Sequence, residues 1–168
     1  MIRLIMDNEV ITRWMDWSDI SVFRDQLVEL EYTLMKKYHY PELEIPIGYC
    51  ETSVANLEMH MKSGNTFFWG ATKDSELVAY YWAYIAPFIN RKRWVLRSLM
   101  IRDDYQRTGL GTVAMQCGLQ KALELNCDEM ATEYVPWNTA AAELYHKNGF
   151  EIRRLEVVKE LNKVNKDD

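Results

Sequence analysis

Apolar positions in the first part of the chain recur with a helical beat. Ile20, Phe23, Leu27, Leu30, Leu34 and Tyr38 fall at alternating spacings of three and four. This predicts a helix over residues 20–38 with one apolar stripe, capped at Ser18 or Asp19. Pro41 and Pro46 break the pattern and make 40–50 a loop, after which Val54, Leu57 and Met61 define a short second helix closed by Gly64. The period then shortens. Residues 66–72 and 77–85 are dense in aromatic and β-forming side chains, and Lys73-Asp74-Ser75 between them supplies a turn, so they form an antiparallel hairpin. Beyond Pro87 and Asn90, residues 94–101 read as a mostly apolar strand suited to the middle of a sheet. Leu110, Val113, Ala114, Cys117, Ala122 and Leu125 give a helical face from Gly109 onward. A strand over 129–135 follows, then a helix over 139–148 with Asn138 as N-cap and Gly149 as its stop, and a last strand over 150–161. Residues 165–168 are expected to fray.

No repeat, low-complexity tract or Pro/Gly-rich linker divides this alternation, and 168 residues at 48% hydrophobic content suit one α/β domain over 1–168. A net charge of −5 argues against a nucleic-acid binder, which carries a basic excess on one face, and fits a cationic partner better. The three cysteines, Cys50, Cys117 and Cys127, form no CxxC pair and leave an odd thiol, as in a reducing, cytoplasmic setting. Residues 1–10 carry Arg3, Asp7 and Glu9 and do not read as a signal peptide, and no apolar run approaches the length of a membrane span. His39, His60 and His146 have no metal-ligand spacing among themselves or with the cysteines, so no metal is expected. Cys117 falls on an apolar helix face and reads as core.

Between the strand ending at Ile101 and the helix starting near Gly109 lies Gln106-Arg107-Thr108-Gly109-Leu110-Gly111. Placed there, the backbone N–H groups of 107–112 surround the electropositive end of a helix and would bind a pyrophosphate. Gly109 and Gly111 remove side chains that would hold an anion away, while Thr112 adds a hydroxyl and Arg107 a charge. Two glycines at a helix start can equally make only a tight turn. The loop has neither the Gly-Lys-Ser/Thr ending of a nucleotide triphosphatase nor the GxGxxG order of a dinucleotide fold.

Gln106, Gly109 and Gly111 match the Q/R-x-x-G-x-G/A signature of the GCN5-related N-acetyltransferases (GNAT). Downstream, Asn138-Thr-Ala-Ala-Ala-Glu-Leu-Tyr145-His-Lys-Asn-Gly149-Phe150 resembles that family's second segment. The resemblance is specific over residues 94–152. It implies a mixed, mostly antiparallel sheet flanked by helices, in which the strands ending near Ile101 and starting at Glu129 splay apart to form an acetyl-CoA cleft. It further implies that backbone groups of Leu99, Met100 and Ile101 pair with the pantetheine arm, that residues 106–112 and Asn138 contact the coenzyme, and that an amide near Leu99 polarises the thioester.

Direct transfer needs a neutral amine to attack the thioester and an acid to protonate the departing thiolate. Tyr145 is the candidate acid. Asn138 and Tyr145 lie seven residues apart on one helical face, although an amphipathic tyrosine packing beside Leu144 and a plain N-cap are the alternative readings. In the protein-lysine branch of the family a Glu occupies the place of Val95, so that base does not carry over. Glu133 is the remaining carboxylate on the strand flanking the cleft, with Tyr84 or a water chain as alternatives, and an outward, solvated carboxylate is the other reading of it. Arg91-Lys92-Arg93 reads as a solvated turn. Tyr80, Tyr81, Trp82 and Tyr84 alternate across a strand, so about half of them should enter the core.

The acceptor is expected to be recognised by helix one, the 40–50 loop and the strand near Tyr84, where Glu42, Glu44 and Glu51 would attract an amine if they face the cleft mouth, plain surface charges being the other reading. The expected reaction is acetyl transfer to a primary amine of a small molecule or peptide. The alternative is a non-catalytic acyl-CoA-binding domain. A longer acyl donor stays open. Edge strands or exposed apolar surface would serve a homodimer, and no residue decides the oligomeric state.

Overall fold

The computed structural model describes residues 5–6 and 10–159. Six strands form one sheet in sequence order: β1 Ile5–Met6, β2 Val10–Met15, β3 Thr66–Lys73, β4 Glu76–Phe88, β5 Arg91–Ile101 and β6 Glu129–Ala131. All neighbours are antiparallel except β5 and β6, which run parallel. Helices α1 Trp17–Ser21, α2 Arg24–Thr33 and α3 Ile47–Lys62 precede the hairpins, while α4 Leu110–Glu124 and α5 Thr139–Lys147 flank β6.

Both faces of the sheet are covered. Trp69, Tyr81, Trp94 and Leu96 pack with Leu110, Ala114, Met115 and Tyr145 on the α4/α5 side. Phe68, Tyr80, Trp82 and Met100 pack with Leu27, Leu30, Val54 and Leu57 on the α2/α3 side. Tyr80, Tyr81 and Trp82 are therefore all buried, rather than every second one, because a sheet sandwiched between helices has no solvent face.

The β3–β4 turn places Asp74 and Ser75 at φ 50° and 66°, the paired left-handed geometry that matches strand twist in a two-residue hairpin. Between β4 and β5 the register slips. Trp82 faces Ser98 while Ala83 faces Leu96, leaving Arg97 as the extra residue of a β-bulge. Its effect is to change the parity of β5. Trp94 and Leu96 point to the α4 side, but beyond the bulge Leu99 and Ile101 take that side and Met100 faces α2.

Several sequence expectations need correction. The helix expected over 20–38 is interrupted around residues 22–23 and ends in a π-helical stretch, Leu34–His39. Its cap is Asp16, whose carboxylate accepts from the Asp19 N–H at 3.0 Å, and not Ser18 or Asp19. The second helix starts at Ile47, directly after Pro46, inside the expected 40–50 loop, since proline tolerates a helix start. Strand β2 was not anticipated. β6 ends at Ala131 instead of 135, and the described residues 150–159 of the expected last strand are non-strand, with 151–159 exposed. Residues 160–161 of that strand, the tail 165–168 and most of 1–10 lie outside the described residues. Asn138 caps α5 as expected, its Oδ1 accepting from the Ala141 N–H at 3.1 Å. Gly149, at φ 80°, closes it with Phe150 N–H donating to Tyr145 O and Gly149 N–H to His146 O.

Candidate active site

β6 pairs with β5 only at Arg93–Glu129, Trp94–Met130 and Val95–Ala131. From Leu96 to Ile101 that edge of β5 has no strand partner among the described residues, so the sheet opens there. Leu99, Met100 and Ile101 lie along this free edge, held on the other side by Tyr81, Tyr80 and Ala79 of β4. Val95 sits at the last rung before the opening.

The glycine loop follows β5 through a 3-10 turn, Asp103–Tyr105. Arg107 and Gly109 adopt φ 62° and 91°, which turns the chain sharply into α4. No acceptor among the described residues takes the backbone N–H groups of 107–112, whose intrahelical partners cannot exist at a helix start. Arg107 and Thr112 are exposed beside them. The Thr108 hydroxyl turns inward, donating to Tyr105 O at 2.6 Å. A β-carbon on Gly111 would lie 3.3 Å from both Ile101 Cδ1 and Leu144 Cδ2. The absent side chain thus lets the start of α4 close against the end of β5 and against α5.

Gln106 acts as a brace. Its Nε2 donates towards Tyr38 Oη (2.8 Å), Asp103 Oδ1 (3.0 Å) and Ile101 O (3.1 Å). Tyr38 Oη donates to Asp103 Oδ1 at 2.9 Å and Lys37 Nζ meets Asp103 Oδ2 at 2.5 Å. These bonds, the lysine's foremost, hold the Asp103 carboxyl below its ordinary range. The π-helical stretch is thereby fastened to the glycine loop.

Tyr145 is 7% exposed, with its ring 6.0 Å from that of Tyr134 and 5.7 Å from that of Phe150. Burial pushes the phenol's pKa up, partly offset by the Thr132 hydroxyl, so it stays protonated through the neutral range. Glu133 lies past the end of β6, in the irregular segment leading to α5, and is exposed. Trp137 in that segment donates from its indole nitrogen to Tyr38 O at 3.1 Å, fastening the other wall of the opening to the same π-helical stretch. The sheet edge, loop and α5 therefore converge, while Glu133 is exposed in the segment between β6 and α5.

One cluster escaped the sequence reading. Glu31 is 2% exposed, yet it is fully engaged. Tyr80 Oη donates to it at 2.5 Å, Ser53 Oγ at 3.3 Å and Arg97 at 3.4 Å. Arg97, the bulge residue, also donates to Ser53 Oγ (3.0 Å) and Ser98 Oγ (2.9 Å) and stacks over Trp82. The signal was present, since Glu31 lies four residues after Leu27 and three before Leu34, on the apolar stripe. His39, at the end of the π-helical stretch, is half-buried beside this cluster. Burial lowers its pKa, and the charges of Glu31, Glu133 and Arg97 all act on its ring.

Among the described residues, no group of three or more His, Cys, Asp or Glu side chains is placed to hold a metal ion, and no helix is long and apolar enough to cross a membrane. Cys50, Cys117 and Cys127 are all free, with Cys50 buried and Cys117 packed against the α4-side core.

The family model described as "Acetyltransferase (GNAT) family" matches residues 26–150. An uncharacterised N-acetyltransferase, YdgE, of Bacillus subtilis is 28% identical over 100 residues, 59% of this chain and 64% of its own length. An N-alpha-acetyltransferase of Sulfurisphaera tokodaii is 30% identical over 101 residues, covering 54% of this chain and 60% of its own length. The chain thus spans less than two thirds of the length of these curated relatives. Among solved structures, the aminoglycoside N-acetyltransferase AAC(6')-Iy in complex with CoA shares the fold, with a TM-score of 0.68 at 15% identity over 94% of this chain and 99% of that one. With the open edge of β5, the unengaged amides of its glycine loop and a family match across most of its length, the chain belongs to the acetyltransferase (GNAT) family.

Proposed function

We propose that the protein transfers an acetyl group from acetyl-CoA to a primary amine of a small molecule or peptide by direct attack. One observation carries the reading. The unengaged N–H groups of residues 107–112, the free edge at Leu99, Met100 and Ile101, and α5 are drawn together at Gly111. In this reading the pyrophosphate is held by the amides of Arg107, Thr108, Gly109, Leu110, Gly111 and Thr112, with the Arg107 guanidinium and Thr112 hydroxyl beside them. Gln106 keeps the loop in place. The pantetheine arm extends β5 as an added strand along Leu99–Ile101, and Asn138 borders the arm from the start of α5.

Tyr145 serves as the acid for the departing thiolate, which its protonated state at neutral pH allows. Glu133, in the segment between β6 and α5, draws the acceptor ammonium in and assists its deprotonation. The acceptor class is supported by the aminoglycoside-modifying neighbour and the N-alpha-acetylating relative. Glu42 and Glu44, exposed before α3, and Glu51, exposed on it, add negative charge.

Release of CoA thiol from acetyl-CoA, measured against a panel of small amines and peptides, tests the reading. Turnover with at least one amine is expected. Acetyl-CoA binding without amine-dependent thiol release would leave a binding domain in its place. With an active acceptor, Tyr145→Phe should lower kcat by about 10²-fold, the scale of a lost general acid, with acetyl-CoA affinity within twofold of wild type. Unchanged kcat at saturation would remove the acid role.

A further inference from the structure

We infer that His39 is the immediate proton acceptor for the incoming amine. The inference deepens the acetyl-transfer reading and rests on it. Its ground is where the π-helical stretch Leu34–His39 lies. At one wall of the opening, Lys37 and Tyr38 are held by Asp103 and Gln106. At the other, the carbonyl of Tyr38 takes the Trp137 indole N–H. The stretch therefore bridges the loop that follows β5 and the segment after β6, and its last residue is His39. A π-turn inserts one residue into the helical phase and re-aims the side chains that follow, which is why such turns gather at functional sites.

The surroundings suit a base. Glu31 from α2, Arg97 from the β5 bulge and Glu133 from the segment after β6 all act on the ring, and Tyr40 meets it edge-on at 6.1 Å. Among the described residues no hydrogen bond occupies either ring nitrogen. Burial favours the neutral imidazole, which can accept a proton at neutral pH, and the two carboxylates stabilise the imidazolium once it forms. Glu31 is itself committed to Tyr80, Ser53 and Arg97. That leaves His39 as the half-buried, unengaged titrating group at the bridge.

The protons balance as follows. The acceptor enters as an ammonium and gives its first proton to His39, which passes it to solvent. The neutral nitrogen then attacks the thioester carbonyl carbon. As the tetrahedral intermediate collapses the carbon–sulfur bond breaks, the nitrogen gives its second proton to His39, by then neutral again, and the thiolate receives one from Tyr145, which is reprotonated from solvent as His39 returns its proton there.

The test is the pH dependence of kcat/KM for an active amine at saturating acetyl-CoA, in wild type, His39→Gln and Glu133→Gln. Wild type should show an acid limb with an apparent pKa below the ordinary histidine value of about 6.5. In His39→Gln that limb should disappear and kcat fall by about 10²-fold or more, with the KM for acetyl-CoA unchanged. Glu133→Gln should keep the limb but move it to lower pH, because a carboxylate that stabilised the imidazolium is gone. Added imidazole should partly restore His39→Ala. A limb that survives in His39→Gln, or a loss of kcat that imidazole does not rescue, overturns the assignment while leaving acetyl transfer intact. Absence of turnover in wild type against every amine would instead remove the acetyl-transfer reading, and this role with it.

Discussion

Tyr81 shows how tightly single side chains are specified here. Its hydroxyl accepts from the Trp94 indole at 2.6 Å, and its ring lies at 6.3 Å from Trp14, edge to face. This position exists because residue 118 of α4 is glycine. A β-carbon there would fall inside the contact distance of the Tyr81 hydroxyl, whose ring is fully buried. Gly118→Ala should therefore destabilise the protein by about 1–3 kcal/mol despite the better helix propensity of alanine, as urea unfolding would register. A stabilised variant would mean that the ring has room to move. Among the candidate site residues, the placement of Gly111, Asn138 and Tyr145 in and beside helices was legible because motif and helical spacing are local. Glu31, Arg97 and His39 were not legible as a group. Glu31 and Arg97 are 66 positions apart, and their meeting depends on a bulge that no composition or period announces.

At the scale of elements, local signals succeeded where they are strong and self-contained. The N-cap at Asn138 and the left-handed stop at Gly149 bound α5 as read from sequence. Asn138→Ala removes the acceptor for the Ala141 N–H and should cost about 1 kcal/mol in a thermal or urea melt. If coenzyme affinity falls too, then the cap also orients the site. The expected last strand fails for a different reason. Residues 150–159 have strand composition, but Leu155 and Val157 are exposed, because β6 is only three residues long and offers little to pair with. Strand propensity is a statement about fitting a pleated neighbour, and without one it decides nothing. The break near Val22 follows equally from packing, since that side chain is 73% exposed between two buried turns.

For the molecule as a whole, the helices of the N-terminal part and the loop of the C-terminal part meet through a few polar ties, chiefly Lys37 and Tyr38 to Asp103 and Gln106. A ligand that occupies the loop amides engages only the folded chain, in which they are arrayed. Acetyl-CoA at about 100 times its dissociation constant should then add about 2.7 kcal/mol. For a chain of this size that is a rise in Tm of roughly 5–10 °C, readable by differential scanning fluorimetry. Absence of a shift with acetyl-CoA at millimolar concentration would count against coenzyme binding at this loop.

The early end of β6 acts as a ruler. Past the last paired rung at Val95, six residues of β5 from Leu96 to Ile101 stay unpaired on that side. At about 3.3 Å per residue they offer a slot roughly 20 Å long. Such a slot selects an extended, flexible chain with amide groups along it and rejects compact ligands that touch only one rung. Each further residue of pairing between β5 and β6 would shorten it by about 3.3 Å. If the donor arm lies there as proposed, its reach is metered by where one short strand stops.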